Sequence, residues 1–283
     1  MKTILILTDF SENSACAAEA ALLLSTKLHA NLLLFNTYID YAALPYEAGG
    51  GWDIHGYSRR EHRSLKQLDS QLDGLESLAA QMSPAEWKPS IFVRSANSDL
   101  GMEVADIVED NDIELVVMGA RAHKPDDPLP GSDTGAVIKK AHRPVLVVPA
   151  KTNLLQTRKI IFATDFDNAG ISAIHYLMKL GRLFNYQIEV VHVNPPGQHN
   201  DNAKATGFKD QLSALNYQGL SYHEINGNDL VGRLNRELSE SGPAILAMVH
   251  HQLPFFTRLF THSKTKSALD RQHVPMLIFP GGK

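Results

Sequence analysis

Ile4-Leu5-Ile6-Leu7 is a continuous apolar run closed by the polar pair Thr8-Asp9. A run of this kind marks a strand covered on both faces, as in a parallel sheet. Comparable runs recur at Leu32 to Phe35, Ile91 to Val93, Leu115 to Met118 and Val145 to Val148. The stretches between them read as helices. Ser11 can cap a helix over Glu12 to Leu28, whose alanines and leucines favour that conformation. Leu65, Leu68, Leu72, Leu75, Leu78 and Met82 recur at spacings of three or four, which predicts an amphipathic helix over Glu61 to Met82 with that stripe packed in the core. Leu100 to Asp110 and Ser132 to Ala141 complete the set. Pro45 and Gly49-Gly50-Gly51 mark a surface insertion after the second strand.

The pattern then repeats. Thr8-Asp9-Phe10 returns as Thr164-Asp165-Phe166, and Val145-Leu146-Val147-Val148-Pro149 returns as Met276-Leu277-Ile278-Phe279-Pro280. Strands are expected at Ile160 to Ala163, Ile188 to Val193, Ile245 to Val249 and Met276 to Phe279, with helices at Ile171 to Phe184, Phe208 to Leu215 and Leu230 to Leu238. Lys151 to Thr157 is polar and aperiodic, so the expected organisation is a domain over 1–150, a linker over 151–157 and a second domain over 158–283. Strands alternating with helices specify an α/β fold, here two doubly wound, five-stranded parallel-sheet domains in tandem. Ligands of such sheets sit beyond the carboxyl ends of the strands, where Asp9, Asn36 and Gly119 fall.

Composition narrows the function classes. With 43% hydrophobic and 20% charged residues and a net charge of -4, the chain lacks the basic excess of a nucleic-acid binder. No apolar run approaches the roughly 20 residues that span a bilayer, and no leader pattern follows Met1-Lys2. Cys16 is the single cysteine, which excludes an internal disulfide and fits a reducing, cytoplasmic setting. No nucleophile lies in a recognisable catalytic motif, and Gly-x-Ser-x-Gly is absent, so no catalytic residues are assigned. His250-His251 with His262 or His273 invites a metal reading, but no ligand spacing of zinc type completes it, so no metal site is expected.

Thr8-Asp9-Phe10-Ser11, Leu115-Val116-Val117-Met118-Gly119, Gly131-Ser132 and Arg143-Pro144-Val145-Leu146-Val147-Val148-Pro149, in that order, resemble the universal stress protein domain. Both halves are similar to it. The resemblance implies a Rossmann-like fold of the adenine nucleotide alpha hydrolase type, with ATP, ADP or AMP bound in the first domain. It implies Asp9 at adenine, Asn36 and Met118 along base and sugar, and Gly119, Ala122, Gly131 and Ser132 at ribose and phosphates. Independently, Gly119 would let the chain turn with positive φ, and the helix opening at Gly131-Ser132 favours an anion. The chain departs from the family's Gly-x-x-Gly pattern: Ala122 replaces the second glycine and the spacer to Gly131 is one residue short. Asp126, Asp127 and Asp133 would repel a triphosphate unless Mg²⁺ bridges them, while Arg121 and Lys124 act in the opposite sense. In the second copy Val249 stands for Gly119 and His262-Ser263 for Gly-Ser, so no nucleotide is expected there.

The resemblance implies a cytoplasmic, non-enzymatic stress-response protein with an unidentified protein partner. Its terminal strands, Val145 to Val148 and Met276 to Phe279, are expected to pair antiparallel as an internal pseudo-dimer, with homodimerisation of the whole chain left open. Two alternatives stand beside it. One is a slow Mg²⁺-dependent ATPase or phosphotransfer protein using Asp126, Asp127 or Asp133, and the other is an interaction scaffold without a ligand.

Overall fold

The computed structural model describes residues 1–39, 54–120, 132–194, 202–226, 242–252 and 274–281. The first half contains β1 (Thr3–Leu7), α1 (Glu12–Leu28), β2 (Asn31–Tyr38), α2 (Ile54–Gln81), β3 (Ile91–Asn97), α3 (Leu100–Asp110), β4 (Ile113–Gly119), α4 (Ser132–Lys140) and β5 (Val145–Val148). The second contains β6 (Lys159–Thr164), α5 (Asn168–Phe184), β7 (Gln187–Asn194), α6 (Asn202–Ser213), β8 (Leu220–Asn226), β9 (Ala244–Val249) and β10 (Met276–Phe279). The described strands form one ten-stranded sheet in the order β3-β2-β1-β4-β5-β10-β9-β6-β7-β8. Each half therefore has the same internal strand order, and pairing within each half is parallel.

The halves meet at the antiparallel pair β5–β10, in the register Met276 with Val147, Leu277 with Leu146 and Ile278 with Val145. This is the pairing expected of the two terminal strands, and it converts what would be two open sheet edges into an interior seam. Strand alternation sends Ile4 and Ile6 into one core and Leu5 and Leu7 into the other. The first core is covered by α1, α2, α5 and α6 and runs across the seam, and the second is covered in the first half by α3 and α4. An ion triad also crosses between halves: Glu114 on β4 bonds Lys2 at 2.6 Å and Lys179 of α5. Burial opposes ionisation of Glu114, but the two ammonium groups overcome it and hold its carboxyl below the ordinary range.

Several elements differ from the sequence reading. β8 was not expected. It is a sheet-edge strand whose Leu220 and Tyr222 are half-buried between exposed Ser221 and His223, a short alternation that lacks a strong apolar signal. α2 begins at Ile54 rather than Glu61, and α6 at Asn202 rather than Phe208. The leucine stripe of α2 is only partly core: Leu68 and Leu75 are buried, whereas Leu65 and Leu78 are 39% and 38% exposed. Within the expected linker, Leu154 is buried in a short 3-10 turn over Leu154–Gln156, so an apolar anchor interrupts the polar stretch. The insertion at Gly49-Gly50-Gly51 and the helix expected over Leu230 to Leu238 lie outside the described residues.

Candidate functional site

The turn leaving β1 is built by three side chains. Thr8 Oγ1 accepts from the Phe10 N–H at 3.0 Å, and Asp9 Oδ1 accepts from the Ser11 N–H at 3.1 Å and the Ser11 hydroxyl at 2.5 Å. Ser11 in turn caps α1 by accepting from the Ser14 N–H. These bonds hold Phe10 at φ 63, a left-handed conformation that costs a non-glycine residue about 1–2 kcal/mol. The turn leaving β6 repeats the device. Thr164 accepts from the Phe166 N–H at 3.1 Å, Asp165 from the Asp167 N–H at 3.3 Å, and Phe166 has φ 68. The duplicated Thr-Asp-Phe signal is thus, first of all, the specification of a strained turn and a helix cap.

Beyond this turn lies a cavity of about 60 Å³, lined by Leu7, Thr8, Asp9, Ser14, Asn36, Thr37, Leu100, Met118 and Gly119. Four of the seven residues singled out in the sequence, Asp9, Asn36, Met118 and Gly119, therefore converge at the carboxyl ends of β1, β2 and β4. Ala122 and Gly131 lie outside the described residues, as do Asp126 and Asp127. Ser132 opens α4, and Asp133 sits half-buried in its first turn. Leu7, Thr8, Ser14, Thr37 and Leu100 were not among the seven. Thr8 adjoins Asp9 and Thr37 adjoins Asn36, and that adjacency was the available signal. A cavity of this size is well below the roughly 300–1,000 Å³ of small-molecule pockets, so the described walls fit a fragment of a ligand such as a base edge rather than a whole nucleotide.

Two residues play roles that the sequence reading did not give them. Gly119 is not at positive φ; it is the last residue of β4, paired with Val148. Glycine is required there because a Cβ would lie 2.6 Å from both Asn13 C and Ser14 N. The start of α1 packs directly on the β4 backbone, and Asn13 Nδ2 donates to the Ala120 carbonyl across this contact. Asn36 is 8% exposed, and its amide is engaged at both ends: Nδ2 donates to Thr8 O at 2.7 Å, and Oδ1 accepts from Ser64 Oγ at 2.7 Å. What its side chain retains for a ligand is one N–H.

The second half handles the same positions differently. Asp165 Oδ2 is 2.8 Å from His251 Nε2, which ties the β6 turn to the segment following Val249. His250, beside it, is held below the ordinary imidazole range by burial, with Lys139 and His251 adding to the effect. His192 occupies the register position of Asn36: its Nδ1 lies 2.8 Å from Thr164 O, a pure acceptor, so Nδ1 carries the proton. Its ring stacks on Phe166 at 3.8 Å, and Nε2 is buried without a hydrogen-bond partner among the described residues. A second cavity, about 360 Å³, opens between this turn and α6, bounded by Asp165, Asp167, Lys204 and Phe208 among others. No sequence signal pointed to it. Among the described residues no group of three or more His, Cys, Asp or Glu side chains is arranged to hold a metal ion, and no helix is long and apolar enough to cross a membrane.

Comparison with known proteins bears on the whole arrangement. A universal stress protein from Archaeoglobus fulgidus superposes with a TM-score of 0.63 at 14% identity, covering 99% of this chain and 97% of that one. A functionally unknown protein from Pseudomonas aeruginosa gives 0.55 at 14% identity over 98% of this chain and 92% of that one. The cytoplasmic domain of a prokaryotic cation chloride cotransporter gives 0.50 at 10% identity over 98% and 93%. At such identities these likenesses establish the fold alone. No curated protein matches the chain. Residues 1–149, more than half of the sequence, match the Universal stress protein family, and the chain belongs to that family.

Proposed function

We propose that the first half binds an adenine nucleotide, ATP, ADP or AMP, in the crevice at the ends of β1, β2 and β4, and that occupancy regulates how the protein engages a partner in the cytoplasm. The second half, taken as a second domain of the same family over 158–283, is structural and holds no nucleotide. The observation that carries this reading is the meeting of Asp9, Asn36, Met118 and Gly119 around one cavity in a member of this family. Asp9 offers a carboxylate acceptor to an exocyclic amine, Met118 an apolar surface to a ring, and Asn36 one amide donor. Residues 121–132, with Arg121, Lys124 and Ser132 against Asp126 and Asp127, supply the phosphate end, and Mg²⁺ offsets the carboxylates there. In the second half Val249 replaces Gly119 and His251 occupies Asp165, which supports assigning no nucleotide to it.

The test has two arms. Small molecules released from freshly purified protein are identified by mass spectrometry, and thermal unfolding is followed with ATP, ADP and AMP with and without Mg²⁺. Ligand at a hundredfold excess over Kd stabilises by about 2.7 kcal/mol, a shift of several degrees for a domain of this size. Absence of a co-purified nucleotide together with no shift for any of the three ligands refutes the reading. Phosphate release that disappears in Gly131→Ala and Ser132→Ala would replace it with the slow ATPase.

A further inference from the structure

The crevice of the first half is backed by hydrogen bonds to a helix. Thr8 Oγ1 donates to Gln71 Oε1 at 2.8 Å, and Ser64 Oγ donates to Asn36 Oδ1 at 2.7 Å while accepting from Ser95 Oγ at 2.7 Å. Ser64 and Gln71 both belong to α2, two turns apart, so one helix grips two residues that line the cavity. The chain Ser95, Ser64, Asn36, Thr8 O is complete, each hydroxyl hydrogen in it being used once. Ser64 is 3% exposed and Asn36 8%, so little water competes for these bonds. In the second half α6 presents Ala205, Phe208 and Leu212 to the core, and Nε2 of His192, which stands where Asn36 stands, has no partner among the described residues.

We propose that α2 is energetically coupled to ligand binding in the first-half crevice, with Ser64 and Gln71 as positioning residues that act through Asn36 and Thr8. The proposal rests on the nucleotide reading above. A ligand that meets the backbone at Thr8 and the remaining amide hydrogen of Asn36 needs those groups where α2 holds them. Linkage requires the converse: a bound ligand must stabilise α2 in its docked position. Removing Ser64 leaves the buried Asn36 amide oxygen without its donor, so β2 relaxes there, whereas Thr8 on losing Gln71 still has Ser14 Oγ at 3.1 Å as an acceptor.

Two measurements test this with the full chain. Hydrogen exchange is followed over residues 59–81 with and without saturating Mg²⁺ and ATP, and ATP affinity is measured by calorimetry for Ser64→Ala, Gln71→Leu and the control Ser77→Ala. Ser77 lies on the exposed face of α2, where its hydroxyl bonds its own helix at Asp73 O. The expected result is slower exchange along α2 on binding and a Kd raised about fivefold or more in Ser64→Ala and by a smaller factor in Gln71→Leu, with Ser77→Ala unchanged and Ser64→Thr, which keeps the hydroxyl, restoring part of the loss. Exchange in α2 that is indifferent to ATP, or affinities in Ser64→Ala and Gln71→Leu within twofold of wild type, overturns the coupling while leaving the nucleotide site standing. A wild-type protein that binds no ATP, ADP or AMP overturns both. The exchange measurement needs no variant, so it decides the matter even where a substitution prevents folding.

Discussion

Replacing Gly119 by alanine places a methyl group where α1 already lies. Its Cβ would stand 2.6 Å from Asn13 C, 2.6 Å from Ser14 N and 2.9 Å from Asn13 O, against about 3.5–4.0 Å for a relaxed carbon contact. All three atoms are backbone, so no rotamer change relieves the overlap. The first turn of α1 must move away from β4 by about 1 Å. That displacement weakens the Asn13 bond to the Ala120 carbonyl and strains the Ser11 cap. Overpacking costs about 1–3 kcal/mol and the lost hydrogen bond about 0.5–1.5, so Gly119→Ala is expected to destabilise by about 2–4 kcal/mol. At about 2–4 °C per kcal/mol for a chain of this size, the thermal midpoint falls by about 5–15 °C. Circular dichroism melts and urea midpoints of purified variant and wild type measure it. A variant that melts within about 1 °C of wild type would refute the close approach of α1 to β4, and with it the reason given for glycine here.

Gly74, in the middle of α2, has nothing within 4 Å of the place a Cβ would take, so Gly74→Ala is expected to stabilise by about 0.5–1 kcal/mol in urea titrations, the opposite sign to Gly119→Ala. Glu114 has its folded pKa lowered from 4.5, so its contribution is present above that value and is lost as pH falls through the folded pKa. The decline in urea midpoint between about pH 5 and 3 should therefore be shallower in Glu114→Gln than in wild type; equal slopes would contradict the ion triad. His192→Asn reproduces the bond that Asn36 makes to Thr8 O and is expected to cost less than His192→Leu, which leaves Thr164 O without that donor, by about 1 kcal/mol in the same titration.

The central strands were legible because burial on both faces writes them as unbroken apolar runs, as in Ile4 to Leu7 and Leu115 to Met118. β8 was not, because a sheet-edge strand needs only one apolar residue in two, and Leu220 and Tyr222 are few against their polar neighbours. Residues 54–60 gave no helix signal because they carry a glycine and two arginines and no apolar stripe. Position was easier to read than role. Gly119 and Asn36 were found where the cavity lies, yet glycine serves helix packing rather than a left-handed turn, and the asparagine amide serves α2. Ser64 and Gln71 had a signal that went unused: they are polar residues at the spacing of core positions, flanking Leu68 and followed by Leu75. The role of His192 becomes visible only when β7 is laid on β2 by register, because an isolated histidine in a valine-rich strand says nothing of the carbonyl it meets.

The antiparallel seam has a consequence for how the two crevices stand in the molecule. Because β5 and β10 run in opposite directions and each half is parallel within itself, the carboxyl ends of the two strand sets point away from each other. A ligand in one crevice cannot reach the other, so any influence between them must pass through the shared sheet or its helices. Because both seam strands belong to one polypeptide, their pairing does not weaken on dilution, as the contact in a dimer of separate chains does. In such a dimer every substitution is made twice, once in each subunit. Here a residue such as Val249 can stand in one half while Gly119 is kept at the corresponding position of the other.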